Sequence, residues 1–254
     1  MMRIVILLSY FLVTLSCKSQ DFRTIHVFVA LCDNESQGIV PVPEAIGNGD
    51  DPDNNLYWGA GYGVRTFFKR SASWKLLKSE KDLSDTLLER CIFRHTTDSV
   101  ILVADAYRGM YIRQTVVDFL NAASGKHAEA IVVNGLKINA GGESQLLAYV
   151  GHDGLMDFSL DSYPASADKK KRKVIILACM SKSFFREAIR KAGATPLVWT
   201  TGLMAPEAYT LEAAIEGWVK NETNAQIREH AAQAYHKYQK CGIGGARGLL
   251  VTGF

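Results

Sequence analysis

Two reactive side chains follow hydrophobic segments in the second half of the chain. His152 comes shortly after the apolar segment 145–150, and Cys179 comes directly after the apolar segment 174–178. A cysteine thiolate is a strong nucleophile, and a histidine can take up the thiol proton as a general base. The two residue types therefore predict nucleophilic acyl transfer, provided that the fold brings them to one place.

The local sequence around each of these residues suits this chemistry. A helix is predicted to start near Ser181, and the positive end of a helix favours a thiolate at Cys179. Glycines at 151 and 154 flank His152, and residues this small let a substrate backbone come close. The backbone N–H groups of Gly154 and Cys179 are candidate donors to an oxyanion.

Three further residues are candidates for contact with a substrate. Asp105 and Arg108 follow a predicted strand at 100–104 and could bind substrate charge, although an ion pair within a turn is the interpretation we favour. Thr201 follows the last predicted strand, in the segment 200–209, which could form one wall of the site. The same segment also has the pattern of a helix start, with Pro206 in the first turn.

Strands and helices alternate along the chain. Strands are predicted at 25–31, 100–104, 130–133, 145–150, 174–178 and 196–200, and helices at 57–68, 111–123, 183–192, 206–219 and 225–238. Continuous apolar strands separated by helices predict an α/β fold with a mostly parallel sheet of about six strands and helices on both faces. In such a sheet the functional crevice lies at the carboxyl ends of the strands, where His152 and Cys179 would meet.

The residues around this pair resemble those of a known group of enzymes. A hydrophobic strand that ends in His-x-Gly, followed by one that ends in Ala-Cys, is similar to the caspase–gingipain–legumain group of cysteine peptidases. The matching segments are 146–154 and 174–181. The resemblance implies a caspase-like three-layer sandwich, with His152 as the catalytic histidine and Cys179 as the nucleophile. It also implies hydrolysis of a peptide or protein substrate without a cofactor.

The chain departs from the pattern of that group at two positions. Asp153 stands between His152 and the glycine, and Leu177 stands where the group usually has an acidic residue or glutamine. We therefore keep a second hypothesis, a non-catalytic envelope lipoprotein that binds a protein or glycan partner. That hypothesis predicts a Cys179 that is buried or in a disulfide, and a His152 that packs without a thiol neighbour.

The first residues resemble an export signal. Arg3 precedes an apolar run of about a dozen residues at 4–15, which is too short to span a bilayer but typical of a signal peptide. Ser16 then precedes Cys17, which predicts a signal peptide over 1–17, lipid attachment at Cys17 and a single α/β domain over 18–254. An ordinary cleaved signal peptide is the alternative. We expect an exported lipoprotein of the periplasm or outer membrane, held to the membrane by its lipid.

Composition argues against several other functions. The formal net charge is +3, and the basic run at 169–173 precedes an apolar strand, so we expect a solvated loop rather than nucleic-acid binding. The cysteines lack Cys-x-x-Cys spacing, and Asp50, Asp51 and Asp53 lack the spacing of a calcium loop, so no metal is predicted. The chain has no serine-hydrolase elbow and no phosphate-binding loop.

Overall fold

The computed structural model describes residues 22–254, so the predicted signal peptide and Cys17 lie outside the described residues. The strands are β1 (Arg23–Ala30), β2 (Trp74–Lys81), β3 (Leu87–His95), β4 (Val100–Tyr107), β5 (Ala128–Val133), β6 (Leu136–Gly141), β7 (Leu146–Val150), β8 (Lys173–Leu177), β9 (Thr195–Thr200) and β10 (Leu250–Val251). The helices are α1 (Val64–Arg70), α2 (Ile112–Ala123), α3 (Ser181–Ala192), α4 (Ala208–Val219), α5 (Asn224–Gln239) and α6 (Ile243–Leu249).

Eight of these strands form one mixed sheet, in the order β10-β9-β8-β7-β1-β4-β3-β2. The central strands β9, β8, β7, β1 and β4 are parallel, and β10, β3 and β2 add antiparallel edges. The predicted α/β fold with a mostly parallel sheet is confirmed, but the expected number of strands was too low. Strands β2 and β3 were missed because β2 is half exposed and β3 carries the buried charges Glu89 and Arg90.

The segment predicted as a third strand of this sheet lies elsewhere. Strand β5 pairs only with β6, in a separate two-stranded hairpin. The connecting residues Asn134 and Gly135 have φ values of 51° and 77°, as a tight hairpin turn requires. Ile131 and Ile138 of the hairpin pack against Ile101 of the main sheet.

Both faces of the main sheet are buried beneath helices. Side chains alternate along β1, so that Val27 and Val29 face the layer of α1, α4 and α5, whereas Phe28 and Ala30 face α2 and α3. Burial on both faces explains why the central strands have nearly continuous apolar sequences. The predicted helices on both faces are thus confirmed.

Two differences from the predicted helices have local causes. The helix predicted at 57–68 begins only at Val64, because residues 56–63 form turns in which Gly59 and Gly63 approach the backbone too closely for a Cβ. Helix α6 was not predicted, since three glycines interrupt its apolar pattern. Across residues 22–254, none of the helices is long and apolar enough to cross a membrane.

Candidate active site at the carboxyl edge of the sheet

The strand register brings His152 and Cys179 to the same edge of the sheet. Strands β7 and β8 are parallel neighbours, and Val150 lies opposite Leu177 at their carboxyl ends. His152 lies two residues after Val150, and Cys179 lies two residues after Leu177. The two residues therefore lie at the same edge of the sheet, where the catalytic hypothesis requires them.

Cys179 is half-buried in a loop contact. The backbone N–H of Met204 donates a hydrogen bond to the Cys179 sulfur, with an N···S distance of 3.4 Å. Met204 belongs to the segment that follows β9, and so this segment does form a wall beside the cysteine. The Cys179 thiol in turn donates to the Met204 carbonyl oxygen, with an S···O distance of 3.7 Å, so the backbone of Met204 makes both contacts with the sulfur.

The turn that carries Cys179 is strained. Met180 has φ 50° and ψ 26°, a left-handed conformation that costs a residue with a Cβ roughly 1–2 kcal/mol. Its backbone N–H donates to the carbonyl oxygen of Gly202 at 2.8 Å, which ties the turn to the loop after β9. The chain thereby passes from β8 into α3 through only three residues, 178–180, and the thiol lies just before the start of the helix. The helix predicted from about residue 181 is confirmed at Ser181.

Buried hydroxyl groups fix this turn against its neighbouring strand. The Ser181 hydroxyl donates to the carbonyl oxygen of Ile176 at 3.0 Å, and the Ser181 N–H donates to the Thr200 hydroxyl oxygen at 3.1 Å. The Thr200 hydroxyl in turn donates to the carbonyl oxygen of Ala178. These bonds hold Cys179 close to the positive end of the 12-residue helix α3.

His152 is held by a carboxylate. Its ring is only 6% exposed, and Nε2 lies 2.7 Å from Oδ2 of Asp157. The Tyr149 hydroxyl donates to the His152 carbonyl oxygen at 2.7 Å and fixes the backbone. Within residues 22–254, Nδ1 of His152 makes no hydrogen bond, and the ring does not bond to the Cys179 sulfur. Catalytic hydrogen bonds in substrate-free enzymes are often long and tighten only when substrate binds.

A second carboxyl group lies beside the histidine and behaves differently. Asp153 is fully buried, and its Oδ1 accepts a hydrogen bond from the Leu155 N–H at 3.0 Å. Its Oδ2 has no partner in the described part of the chain. Burial, reinforced by the charge of Asp157, raises the pKa of Asp153 to about 7.

The long loop at 32–55 is ordered by buried amides. The Asn55 side chain bonds both the N–H and the carbonyl oxygen of Cys32, at 3.0 and 2.8 Å. Asn55 thereby fixes the end of this loop against the residue that follows β1. Burial raises the pKa of Cys32 to about 11.

A cavity of about 560 Å³ opens at the carboxyl ends of β1 and β4, on the edge of the sheet that carries Cys179. Its lining is rich in carboxylates and includes Asp33, Glu35, Glu44, Asp50 and Met110. The cavity gives the edge a concave surface of ligand size.

Asp105 does not reach a substrate position. It lies inside β4, only 1% exposed, and accepts hydrogen bonds from the Arg90 guanidinium and from Nε2 of His26. The ion pair expected between Asp105 and Arg108 is therefore wrong. Strand β4 extends past the apolar run because Arg90 on β3 neutralises the buried carboxylate. Arg108 instead binds Asp50, at 2.7 Å.

Thr201 and Gly154, two further predicted site residues, differ in their burial and in their contacts. Thr201 is exposed, and its hydroxyl donates to the carbonyl oxygen of Gly248 at 2.8 Å, so it contacts α6 rather than Cys179. Gly154 is buried at the start of a 3₁₀-helical turn, Gly154–Met156. Among residues 22–254, the N–H groups of Gly154 and Cys179 make no hydrogen bond.

The four cysteines of residues 22–254 form no disulfide with one another. Cys32, Cys91, Cys179 and Cys241 are all free. In the described part of the chain, no three histidine, cysteine or acidic side chains come together as a metal site would require.

Sequence reasoning missed Asp157 and Asn55. Asp157 lies five residues after His152, and a carboxylate so close to a candidate base was a usable signal. Met204 belongs to the segment 200–209 that was considered as a wall of the site, but no signal marked its backbone as the group that contacts Cys179. Comparison with known proteins found no matching family model, no matching curated protein and no matching solved structure.

Proposed function

We propose that the protein is a cysteine peptidase of caspase-like type, with Cys179 as the nucleophile and His152 as the general base. The observation that carries this proposal is the matched position of the two residues beyond the paired strands β7 and β8. The start of α3 two residues after Cys179 and the N–H that Met204 directs at the Cys179 sulfur support the proposal.

The proposed reaction begins with attack of the Cys179 sulfur on a peptide carbonyl carbon, while Nδ1 of His152 accepts the thiol proton. The N–H groups of Cys179 and Gly154 stabilise the negative oxygen of the tetrahedral intermediate. The C–N bond then breaks, and the imidazolium gives its proton to the departing amine. Water, deprotonated by His152, finally hydrolyses the thioester and restores the thiol.

The strained turn at Met180 supports the proposal independently. A left-handed residue with a side chain persists only where the surrounding structure enforces it, and such positions concentrate at functional sites. Here the strain turns the chain sharply behind Cys179 and leaves the thiol half exposed at the edge.

We further propose that the peptidase is an exported lipoprotein anchored through Cys17, so that it acts on peptides or proteins at the cell envelope. The short apolar run at 4–15 and the Ser-Cys pair at its end support this location.

A thiol-reactive peptide probe tests the enzyme. We expect a peptidyl acyloxymethyl ketone to label the purified protein, and labelling to be absent in Cys179→Ala. His152→Ala should slow labelling by about 100-fold or more, the contribution expected of a general base. Cys241→Ser is the matched control, because Cys241 is an exposed thiol elsewhere on the surface and should not matter. Equal labelling rates in His152→Ala and the wild type would disprove the dyad.

A second candidate function is non-catalytic binding of a protein or glycan partner. It is favoured by the His152 ring, which bonds Asp157 and makes no hydrogen bond to Cys179 in the described residues. On this alternative the probe labels only Cys241, and no labelling depends on His152.

A further inference from the structure

Resting on the proposed function, we infer that Asp157 is the positioning residue for His152, and that it holds the base in place only while the loop at 32–55 is docked against it. A single carboxylate oxygen makes both contacts. Oδ2 of Asp157 lies 2.7 Å from Nε2 of His152 and 2.9 Å from the backbone nitrogen of Gly38.

The first contact selects the nitrogen that does the chemistry. A carboxylate only accepts hydrogen bonds, so the short distance requires a hydrogen on Nε2 of His152. The neutral ring then carries its lone pair on Nδ1, the nitrogen without a hydrogen bond in the described chain. Asp157 also stabilises the imidazolium that forms when Nδ1 takes the thiol proton.

Asp153 cannot play this role, although it is adjacent to His152 in the sequence. One of its oxygens is taken by the Leu155 N–H, and the other is buried without a partner. Asp157 is instead partly exposed, at 31%, while the ring that it holds is almost completely covered.

The second contact connects the base to the loop. A Cβ on Gly38 would lie 2.3 Å from Oδ1 of Asp157, so a larger residue at this position would displace the carboxylate. The preceding side chain, Gln37, is buried and donates to the carbonyl oxygens of Leu31 and Gly109, at 2.7 and 3.0 Å. Gln37 thereby attaches the loop to the ends of β1 and β4, next to the cavity. A substrate that contacts this loop is therefore coupled to the orientation of His152.

The test measures kcat, KM and the pH profile of peptide hydrolysis in Asp157→Asn. The amide can donate to Nε2 and so favour the wrong tautomer. We expect kcat to fall by about 10- to 100-fold, part of what a general base contributes, with KM changed less than about twofold. The acidic limb of the profile should move to lower pH, because the imidazolium loses its carboxylate. Asp157→Glu should retain more activity than Asp157→Asn.

Two further variants sharpen this test. Gly38→Ala should lower kcat and move the acidic limb in the same direction, because the new methyl group pushes Asp157 away. Asp161→Asn is the matched control, since Asp161 is an exposed carboxylate in the same connection between β7 and β8. It should behave as the wild type does.

A spectroscopic measurement is independent of activity. In ¹⁵N-histidine-labelled protein we expect the His152 resonances to show the Nε2-protonated tautomer in the wild type and to lose that signature in Asp157→Asn. Unchanged resonances and an unchanged pH profile in Asp157→Asn would overturn the inference, while the dyad would stand if His152→Ala were inactive. Absence of hydrolysis and of Cys179 labelling in the wild type would overturn both proposals.

Discussion

Two histidine–carboxylate pairs in this molecule have the same chemical composition and opposite environments. His26 and Asp105 lie within neighbouring central strands, 2% and 1% exposed, with Nε2 2.9 Å from the carboxylate. The other ring nitrogen of His26 accepts a hydrogen bond from the Gly141 N–H, at 3.0 Å. His152 and Asp157 lie beyond the end of a strand, and only Nε2 of His152 is bonded in the described residues.

The difference shows that a histidine–carboxylate pair is not by itself a sign of catalysis. Asp105 also forms two hydrogen bonds of 2.6 Å with Arg90, which in turn binds Glu129. Every strong donor in that network has a partner, so the network fastens the β5–β6 hairpin to the sheet. The second pair leaves one nitrogen of His152 unbonded in the described residues, at the sheet edge that also carries Cys179, and proton transfer needs such an unbonded nitrogen.

The largest expected effect is on the free energy of unfolding, which should depend much more on the His26–Asp105 pair than on the His152–Asp157 pair. Asp105→Asn should lower the free energy of unfolding by about 3–5 kcal/mol, because it leaves the buried Arg90 without its main counter-charge. Asp157→Asn should lower the free energy of unfolding by less than about 1.5 kcal/mol, because Asp157 is partly exposed. Urea unfolding monitored by circular dichroism measures both. Equal losses would contradict the distinction between a structural and a functional pair.

The next effect depends on pH and tests the buried carboxyl beside His152. The pKa of Asp153 is raised to about 7 in the folded protein, whereas the unfolded chain titrates near its ordinary value. The folded state therefore retains a proton that the unfolded state releases. Stability should decline as pH rises from about 4 to about 7, by up to about 4 kcal/mol.

Asp153→Asn should remove this decline, because asparagine keeps the acceptor for the Leu155 N–H and cannot ionise. The variant should match the wild type near pH 4 and exceed it at pH 8. Unfolding curves across this range decide the matter, with Asp161→Asn as the exposed control. A wild type that is equally stable at both pH values would refute the prediction.

The buried cysteines Cys32 and Cys91 should react more slowly with an alkylating reagent than Cys179 and Cys241. Burial raises the pKa of Cys32 to about 11 and that of Cys91 to about 12, so both are almost entirely protonated at pH 8. We expect iodoacetamide to modify Cys179 and Cys241 about 100 times faster than these two. Peptide mass spectrometry after timed labelling measures the four rates. In urea the difference should disappear, and a rapid reaction at Cys32 in the folded protein would contradict it.

The smallest effect concerns the turn behind the nucleophile. Met180 is left-handed, whereas the backbone around Asp105 is a regular strand. Met180→Gly should raise the free energy of unfolding by up to about 1 kcal/mol, since glycine adopts this conformation without a steric cost. Met180→Ala should give no such gain. Thermal unfolding of both variants compares them, and a loss of stability in Met180→Gly would count against strain at this turn.

The sequence predicted the elements that carry the candidate site better than their contacts. Strands β7 and β8 were found because both of their faces are buried, which leaves an unbroken apolar run that ends just before each reactive residue. The contact of His152 with Asp157 depends instead on a 3₁₀ turn, Gly154–Met156, that folds the carboxylate back onto the ring. No apolar periodicity reports such a turn.

Errors arose where charge is buried or where a turn was overlooked. Glu89, Arg90 and Asp105 break the apolar pattern of β3 and the end of β4, yet they are buried because they neutralise one another or their neighbours. Pairing of this kind joins different elements of the fold and cannot be inferred from one strand alone. The hairpin was recognisable, however, because Asn134-Gly135 is a strong signal for a two-residue turn.

The common direction of the central strands determines which edge of the sheet would lie nearer a membrane. Strand β1 starts at Arg23, at the edge opposite to His152 and Cys179. A lipid on Cys17, as proposed, would tether the protein from that starting edge. The eight residues of β1 span roughly 25 Å, so the reactive edge would point away from the lipid surface. Substrates would then arrive from the surrounding fluid rather than from within the bilayer.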